Sequence, residues 1–528
     1  MNADILVSAT ALLLLSILVI YSYKFKLSGV VLFIFAFSIS FIITQSSSWI
    51  YGWDSFSAIF PLRDTIQFGI LSDSTYKSPL FYLLYSSIGV ITEVNTVSVI
   101  SHLPTVLFTI LAASYYIGLR SSLSDWSAHL STVFIIVFWE FADFHSWAIK
   151  ETMALSFVFL AFYSLYKLDM TKSHRILGNR YDIMLLLFIF AVTFTHTYSS
   201  LIAVIIMASY YVSYYLVRSN ILSTFFAVNY EHDISSQKLW VPIATAIIIP
   251  LFYYIYMEVS AIFSIYPLLN LLNGSYMAPS TTSSSVGADL YTELRLAWNY
   301  TYQIVCVLFI GLVLTIEAFI FKGIKIIRGH LTFVLASSAL LVLWVSVFIS
   351  EISLGGPRVL SIIIVFAFPI TVSAVKDSSV DNIINSLLIL VIVISVISFP
   401  PFVLSGSGTP AYAQGELGSG FSTEHKESVQ WVGDHLKSAP VADVKHYRIW
   451  TPAGIDPVAK SKLYISPENS INYIYITPSL LRGGKLGDES RIDEKHPIIK
   501  NGVCSSGCSK LYTTGDNSVA YLKQLNNE

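Results

Sequence analysis

Stretches of some twenty consecutive apolar residues recur along this chain, and no other feature constrains its fold as much. A helix needs about 20 such residues to cross the hydrocarbon core of a bilayer, where each backbone polar group must be satisfied within its own segment. About twelve stretches meet that requirement: roughly 4–22, 29–46, 97–118, 125–142, 147–166, 183–197, 199–217, 239–257, 302–321, 331–350, 359–375 and 384–403. The sixth and seventh are short and divide around Thr197 and Tyr198. The stretch Pro79–Ile91 is apolar but too short to span, and is expected to lie at the interface or to re-enter. Composition agrees: of 528 residues, 54% are hydrophobic and only 12% charged, with a mean hydropathy of +0.66. Soluble domains are about 45–50% apolar and about 25% charged. One water-soluble core, a disordered chain and a disulfide scaffold are all excluded. A net charge of −2 gives no attraction for nucleic acid. The fold class is an α-helical polytopic membrane protein.

The charges are uneven. Residues 405–528 hold 26 of the 64 charged side chains in less than a quarter of the chain. This divides the protein into a transmembrane domain over 1–404, a Gly/Ser/Pro linker over 405–420 and a small soluble domain over 421–528. In that last domain Thr423–Leu436 reads as an amphipathic helix. Short strands are expected at 445–450, 462–465, 471–476, 509–512 and 519–522, with a hairpin near Gly515, which makes an α/β domain.

Loop charge sets the orientation. One set of loops carries 13 Lys/Arg (Lys24, Lys26, Arg120, Lys167, Lys172, Arg175, Arg180, Arg218, Lys238, Lys322, Lys325, Arg328 and Lys376), and the opposite set carries 5. The richer set is cytoplasmic by the positive-inside rule. The N-terminus, the loops 47–96 and 258–301 and the C-terminal domain then face outward. Two N-glycosylation sequons, at Asn273 and Asn299, and the pair Cys504 and Cys508 fall on that outer side. The first apolar segment does not read as a cleaved leader, since Asp4 precedes it and Lys24 and Lys26 follow it.

Polar residues collect at the outer rim, where each needs a reason to be near the bilayer. In the first long loop, Asp54 stands just before Ser55–Phe68, a stretch that can form a surface helix ended by Gly69. Asp is a preferred N-cap, and a capped carboxylate can also serve as a base. Asp64 and Lys77 follow in the same loop. The second outer turn packs Asp143, His145, Lys150 and Glu151 into nine residues. Lys150 either neutralises a lipid phosphate or snorkels to headgroups. The third outer turn carries His196, which is either functional or hydrogen-bonded filler. Gly355-Gly356-Pro357 turns the chain before Arg358, which either meets a phosphate with its planar fork of donors or anchors the helix at the interface. Walker A, GxGxxG, HExxH and CxxC motifs are absent, as is a strict DxD. The closest approach to DxD is Asp143-Phe144-His145, so no metal ligand is assigned.

Together these residues resemble a glycosyltransferase of the GT-C superfamily over about 47–375. The resemblance rests on Asp54 early in a large outer loop, the helix closed by Gly69, and Ser78-Pro79-Leu80-Phe81-Tyr82. It continues through Tyr115–Gly118, Lys150–Leu155 before an aromatic span, and Gly356-Pro357-Arg358. It implies a donor sugar carried on a polyprenyl phosphate, dolichyl or undecaprenyl. The acceptor is an extracytoplasmic glycan, lipid or protein, and transfer inverts the anomeric carbon. Asp54 would be the catalytic base and Arg358 and Lys150 the phosphate contacts. Asp64, Lys77, Asp143, His145 and His196 would orient substrate or base. No cofactor is fixed; Mg or Mn is the ion that fits this chemistry. The soluble domain resembles small domains appended to archaeal and bacterial members. A transporter or lipid flippase is the alternative class, since about twelve spans suit it too.

Overall fold

The computed structural model describes residues 3–24, 28–45, 78–170, 180–218, 236–257, 328–349 and 356–376. To these it adds single positions of the first long loop (55, 58, 61, 62, 65, 66, 69 and 71) and five short strands between 473 and 523. The helices are α1 (Ala3–Tyr21), α2 (Ser28–Gln45), α3 (Pro79–Thr92), α4 (Thr96–Ser122), α5 (Asp125–Val137) and α6 (Trp139–His145). They continue as α7 (Lys150–Met170), α8 (Arg180–Thr195), α9 (Thr197–Arg218), α10 (Ser236–Met257), α11 (Arg328–Ile349) and α12 (Gly356–Lys376). These helices occupy most of the stretches expected to span. The stretches 302–321 and 384–403 lie outside the described residues. Among the described residues, Ser28–Gln45, Thr96–Ser122 and Thr197–Leu216 are long and apolar enough to cross a membrane.

Local chemistry sets the ends of the helices. Pro79 opens α3, where its missing N–H costs nothing, and Glu93 closes it in the left-handed conformation at φ 55°. Asn95 caps α4 by accepting from the Ser98 N–H at 2.8 Å. Ser124 caps α5 by accepting from Ser127 at 3.2 Å. In the first long loop Ser55, Ala58, Leu62 and Thr65 are helical and buried at spacings of three and four, which is one face of a packed helix. Gly69, at φ 67°, closes that helix by donating to the Thr65 carbonyl at 3.0 Å.

The core centres on α5. Every residue from Ser127 to Val137 is buried, because α1, α2, α4 and α12 surround the helix. A helix apolar on all sides belongs inside a bundle. Around it α4, α7 and α8 pack side by side, and α9, α11 and α12 form the next tier. Apolar burial separates helices from lipid only weakly, so close packing and interhelical hydrogen bonds hold them. Gly118 of α4 lies so near α7 that an added Cβ would sit 3.1 Å from the Phe159 carbonyl oxygen. The Tyr115 hydroxyl donates to the Val365 carbonyl at 2.7 Å, tying α4 to α12. The His129 Nε2–H donates to the Val19 carbonyl at 2.8 Å, tying α5 to α1.

Two expected spans are divided differently from the sequence reading. The stretch 125–142 is two helices, broken where Phe138 turns extended at φ −74°, ψ 103°. Neither Gly nor Pro causes this break. It is tolerated because Phe138 is 1% exposed and enclosed by protein, not lipid. The chain leaves the helix again at His196, one residue before the expected division. The helix expected from 147 starts at Lys150, since 146–149 form a turn.

In the C-terminal part, β1 (Tyr473–Ile476), β4 (Cys508–Thr513) and β5 (Val519–Lys523) form an antiparallel sheet in the order β1-β5-β4. The strands β2 (Lys485–Leu486) and β3 (Ser490–Arg491) pair separately. The helix expected at 423–436, the strands expected at 445–450 and 462–465, the linker 405–420, Cys504 and both sequons lie outside the described residues.

Candidate functional site

The turn 146–149 and the first turn of α7 bring three elements together: the long loop after α2, helix α3 and the α8–α9 junction. The first is the long loop after α2. Its Ser55, fully buried, accepts a hydrogen bond from the Ala148 N–H at 2.8 Å. Asp54 itself lies outside the described residues, as do Asp64 and Lys77. Its chain neighbour is nevertheless fixed two residues from Lys150. The end of α2 joins the same turn, with the Ser40 and Ser146 hydroxyls 3.0 Å apart.

The second element is α3. The Lys150 ammonium stands over the Tyr82 ring, 5.0 Å from its centroid. Tyr82 is 5% exposed. Burial pushes its phenol up to about 12, so it stays neutral at physiological pH. One helical turn on, Tyr85 is fully buried and its phenol is raised further still, also by burial. The rings of Phe81 and Tyr85 lie 4.4 Å apart and wedge this short helix into the bundle.

The third element is the α8–α9 junction. His196 caps α9: its Nδ1 accepts from the Ser199 N–H at 3.3 Å, with the Ser199 hydroxyl 3.1 Å away. That leaves the proton of a neutral ring on Nε2, which stands 3.3 Å from Glu151 Oε1. Sequence analysis did not give Glu151 a role. Its signal was present, since it adjoins Lys150 and so points to another face of the same helix. The two neighbours are in fact held by different elements, Lys150 by α3 and Glu151 by the α8–α9 junction.

Asp143 and His145 lie on α6, immediately before the turn. His145 is fully buried. Its Nδ1 is 3.0 Å from Thr152 Oγ1, and that hydroxyl donates to the His145 carbonyl at 3.2 Å. The single hydroxyl proton is thus in use, so His145 Nδ1–H is the donor of the pair and its lone pair is on Nε2. An imidazole oriented in this way suits a base or a metal ligand. Among the described residues no three His, Cys, Asp or Glu side chains gather to hold a metal ion. Arg358 is in the first turn of α12, which packs against α5 and α6. The site thus unites the turns of Ser55, His145, Lys150 and His196. It brings Arg358 near only through its helix.

The other end of α7 is different in kind. Asp169 is buried there and accepts from the Tyr210 hydroxyl, joining α7 to α9. By helical rise it lies about 28 Å from Lys150. It belongs to the packing of the bundle and not to the outer cluster.

No protein-family profile and no curated protein matches this chain. Solved structures do. The apo oligosaccharyltransferase of Archaeoglobus fulgidus is similar with a TM-score of 0.51 at 12% identity, over 87% of this chain and 70% of that one. The same protein tethered to an acceptor peptide with the NVT sequon gives 0.50 at 13% identity over the same shares. The Archaeoglobus fulgidus enzyme AglB, in complex with an inhibitory peptide and a dolichol-phosphate, gives 0.50 at 12%, again over 87% and 70%. At such identities the likeness is one of fold.

Proposed function

We propose that this chain is an integral membrane glycosyltransferase of GT-C type that moves a sugar from a polyprenyl phosphate to an extracytoplasmic acceptor. The observation that carries this reading is the convergence of the long loop after α2, helix α3 and the α8–α9 junction on one turn. That turn holds an ammonium on an aromatic ring and the neighbour of a carboxylate within two residues of each other. On a helical bundle of this fold, such a cluster suits a lipid-borne anion meeting a soluble acceptor. Similar proteins of known structure bind an acceptor peptide and a dolichol-phosphate. A protein acceptor and a dolichyl donor are therefore the first choices.

In the proposed reaction Asp54 takes the proton of the acceptor as its nucleophilic atom attacks the anomeric carbon. The carbon–oxygen bond to the phosphate breaks, and its electron pair stays on the phosphate oxygen. Lys150 and Arg358 stabilise that developing charge. Attack opposite the leaving phosphate inverts the anomeric centre. Asp143, His145 and His196 orient the groups around it, with Asp64 and Lys77 nearby in the same loop. A divalent ion, Mg or Mn, would find a carboxylate of suitable chemistry in Asp143, though among the described residues no three His, Cys, Asp or Glu side chains gather to hold one. It would neutralise phosphate charge, and no step above depends on it. The domain plan is a catalytic transmembrane unit over 1–404 and an outward α/β domain over 421–528.

The test is transfer itself. The full chain is reconstituted in liposomes with labelled polyprenyl-phosphate sugars and sequon-bearing peptides. Wild type is expected to transfer, and Asp54→Asn to lose transfer while keeping its thermal melting. An Asp54→Asn variant with near-normal turnover would remove the base. Absence of transfer, together with substrate counterflow in the vesicles, would establish the transporter instead.

A further inference from the structure

His196 stands in the gap between α8 and α9. Its backbone is bonded on both sides: the N–H donates to the Val192 carbonyl at 3.0 Å, and the carbonyl accepts from the Ser200 N–H at 3.1 Å. Its ring caps α9, with Nδ1 accepting from the Ser199 N–H at 3.3 Å. A cap made through Nδ1 requires a neutral ring with its proton on Nε2. That nitrogen stands 3.3 Å from Oε1 of Glu151, in the first turn of α7. The imidazole therefore bridges the first turns of two helices that pack side by side. Helices α7 and α9 are joined again farther along, where the buried Asp169 accepts from the Tyr210 hydroxyl. The outer tie differs from the inner one. His196 and Glu151 are 19% and 18% exposed, so water can take the place of either partner. Polar contacts between helices in a bilayer also add little to stability. The bundle does not depend on this one.

We infer that Glu151 is a positioning residue for the proposed transfer: through the His196 imidazole it fixes the start of α9 against the turn that carries Lys150. This rests on the function proposed above and on the orienting role given there to His196. A cap needs only an acceptor, and Asn, Asp or Ser is preferred over His for that purpose. What the imidazole adds is a second nitrogen on the far edge of the ring, and Glu151 meets it. A ring engaged at both nitrogens keeps one tautomer and one orientation. An asparagine at position 196 would still cap α9 but would be too short to reach Glu151. The site is assembled from separate helices, and a displacement of about 1 Å at a reacting group can cost about a hundredfold in rate. A contact that adds little to stability can therefore matter to turnover.

The test measures sugar transfer by the full chain in liposomes, with thermal melting beside it. It compares Glu151→Gln, Glu151→Leu, His196→Asn and the double variant Glu151→Leu/His196→Asn. Glu151→Gln keeps an acceptor for the Nε2 proton, and its kcat is expected within about threefold of wild type. Glu151→Leu is expected to lose about ten- to a hundredfold in kcat. Its donor KM should stay within about threefold, since neither Glu151 nor His196 is among the proposed phosphate contacts. His196→Asn keeps the cap, so it is expected to melt like wild type yet to lose kcat as Glu151→Leu does. That variant carries the test if Glu151→Leu does not fold. The double variant is expected to lose no more than either single one, because both remove the same contact. Ring-15N histidine NMR gives a readout independent of turnover, with the His196 signals assigned by their absence in His196→Asn. Wild type is expected to show the Nε2–H tautomer, and its Nε2 signal to move in Glu151→Leu. A proton on Nδ1, additive losses in the double variant, a Glu151→Gln loss as large as that of Glu151→Leu, or a loss confined to melting would overturn the inference. If wild type transfers sugar and Glu151→Leu transfers it equally well, only this inference fails. If wild type transfers none, the proposed function fails with it.

Discussion

Replacing Ser55 by Ala tests whether one buried hydrogen bond ties the first outer loop to the site. The Ser55 oxygen accepts from the Ala148 N–H at 2.8 Å, and Ser55 is fully buried. Alanine removes the acceptor and leaves a backbone N–H without its partner at that depth. An unsatisfied buried donor costs about 1–3 kcal/mol. The loop bearing Asp54 would then shift against Lys150, and a displacement of about 1 Å at a reacting group can cost about a hundredfold in rate. The expected result is a stability loss in that range and a fall in kcat of one to two orders of magnitude. The donor KM should change less, because the Lys150 ammonium also rests on the Tyr82 ring of α3. Thr92→Ala serves as the control. Its hydroxyl also bonds the backbone, donating to the Ile88 carbonyl at 2.6 Å, but in an exposed position, so its loss should stay within about 0.5 kcal/mol. Thermal melting in detergent and steady-state transfer give both quantities. A Ser55→Ala protein that melts and turns over like wild type would show that this bond does not place the loop.

Gly118→Ala should destabilise by about 1–3 kcal/mol through overpacking, since the new Cβ would meet the Phe159 carbonyl at 3.1 Å and backbone cannot swing away. Gly29→Ala, whose Cβ would meet only Tyr116 Cε1 at 3.6 Å, should be neutral or slightly stabilising; equal melting of the two variants would refute the close approach of α4 and α7. At alkaline pH, Tyr82 gives a signed prediction. Its phenol is raised to about 12 by burial, above an ordinary value of about 10. The neutral form is thus favoured by folding, its contribution is fully present below pH about 10, and it is lost as pH rises toward about 12. The loss reaches roughly 3 kcal/mol for two pKa units. Wild type should therefore lose stability relative to Tyr82→Phe across that window, and parallel pH curves would refute the burial argument.

The helices were legible because the bilayer sets their length. Apolar runs of the right size mark 97–118 and 199–217, and the structure puts α4 and α9 on them with ends displaced by only a few residues. The closing role of Gly69 was legible for an equally local reason, since a left-handed residue at a helix end favours glycine. Partnerships across the bundle were not legible. Nothing in the spacing of Ser55 and Ala148, 93 residues apart, announces their bond, and the same holds for Tyr82 beneath Lys150. The break at Phe138 was hidden too, because its cause is burial among other helices and not a Gly or Pro in the sequence.

That break bears on which function the bundle serves. Transporters unwind helices near the membrane midplane so that freed backbone groups can meet a substrate or an ion. At Phe138 the freed groups meet the chain itself. The Phe138 N–H still donates to the Phe134 carbonyl at 2.8 Å, and the Phe138 carbonyl accepts from the Phe141 and Ala142 N–H groups at 3.0 and 2.9 Å. The surroundings are aromatic: the rings of Phe134 and Phe138 stack at 5.2 Å, and Phe368 stacks on Phe134 at 3.9 Å. With the Phe138 backbone bonded on both sides and its ring packed, the break changes the direction of the chain. What it achieves is to aim α6, with Asp143 and His145, into the turn that meets Ser55 and carries Lys150. The irregular backbone of the bundle thus serves the cluster around Lys150, which is where the proposed transfer would need its polar groups.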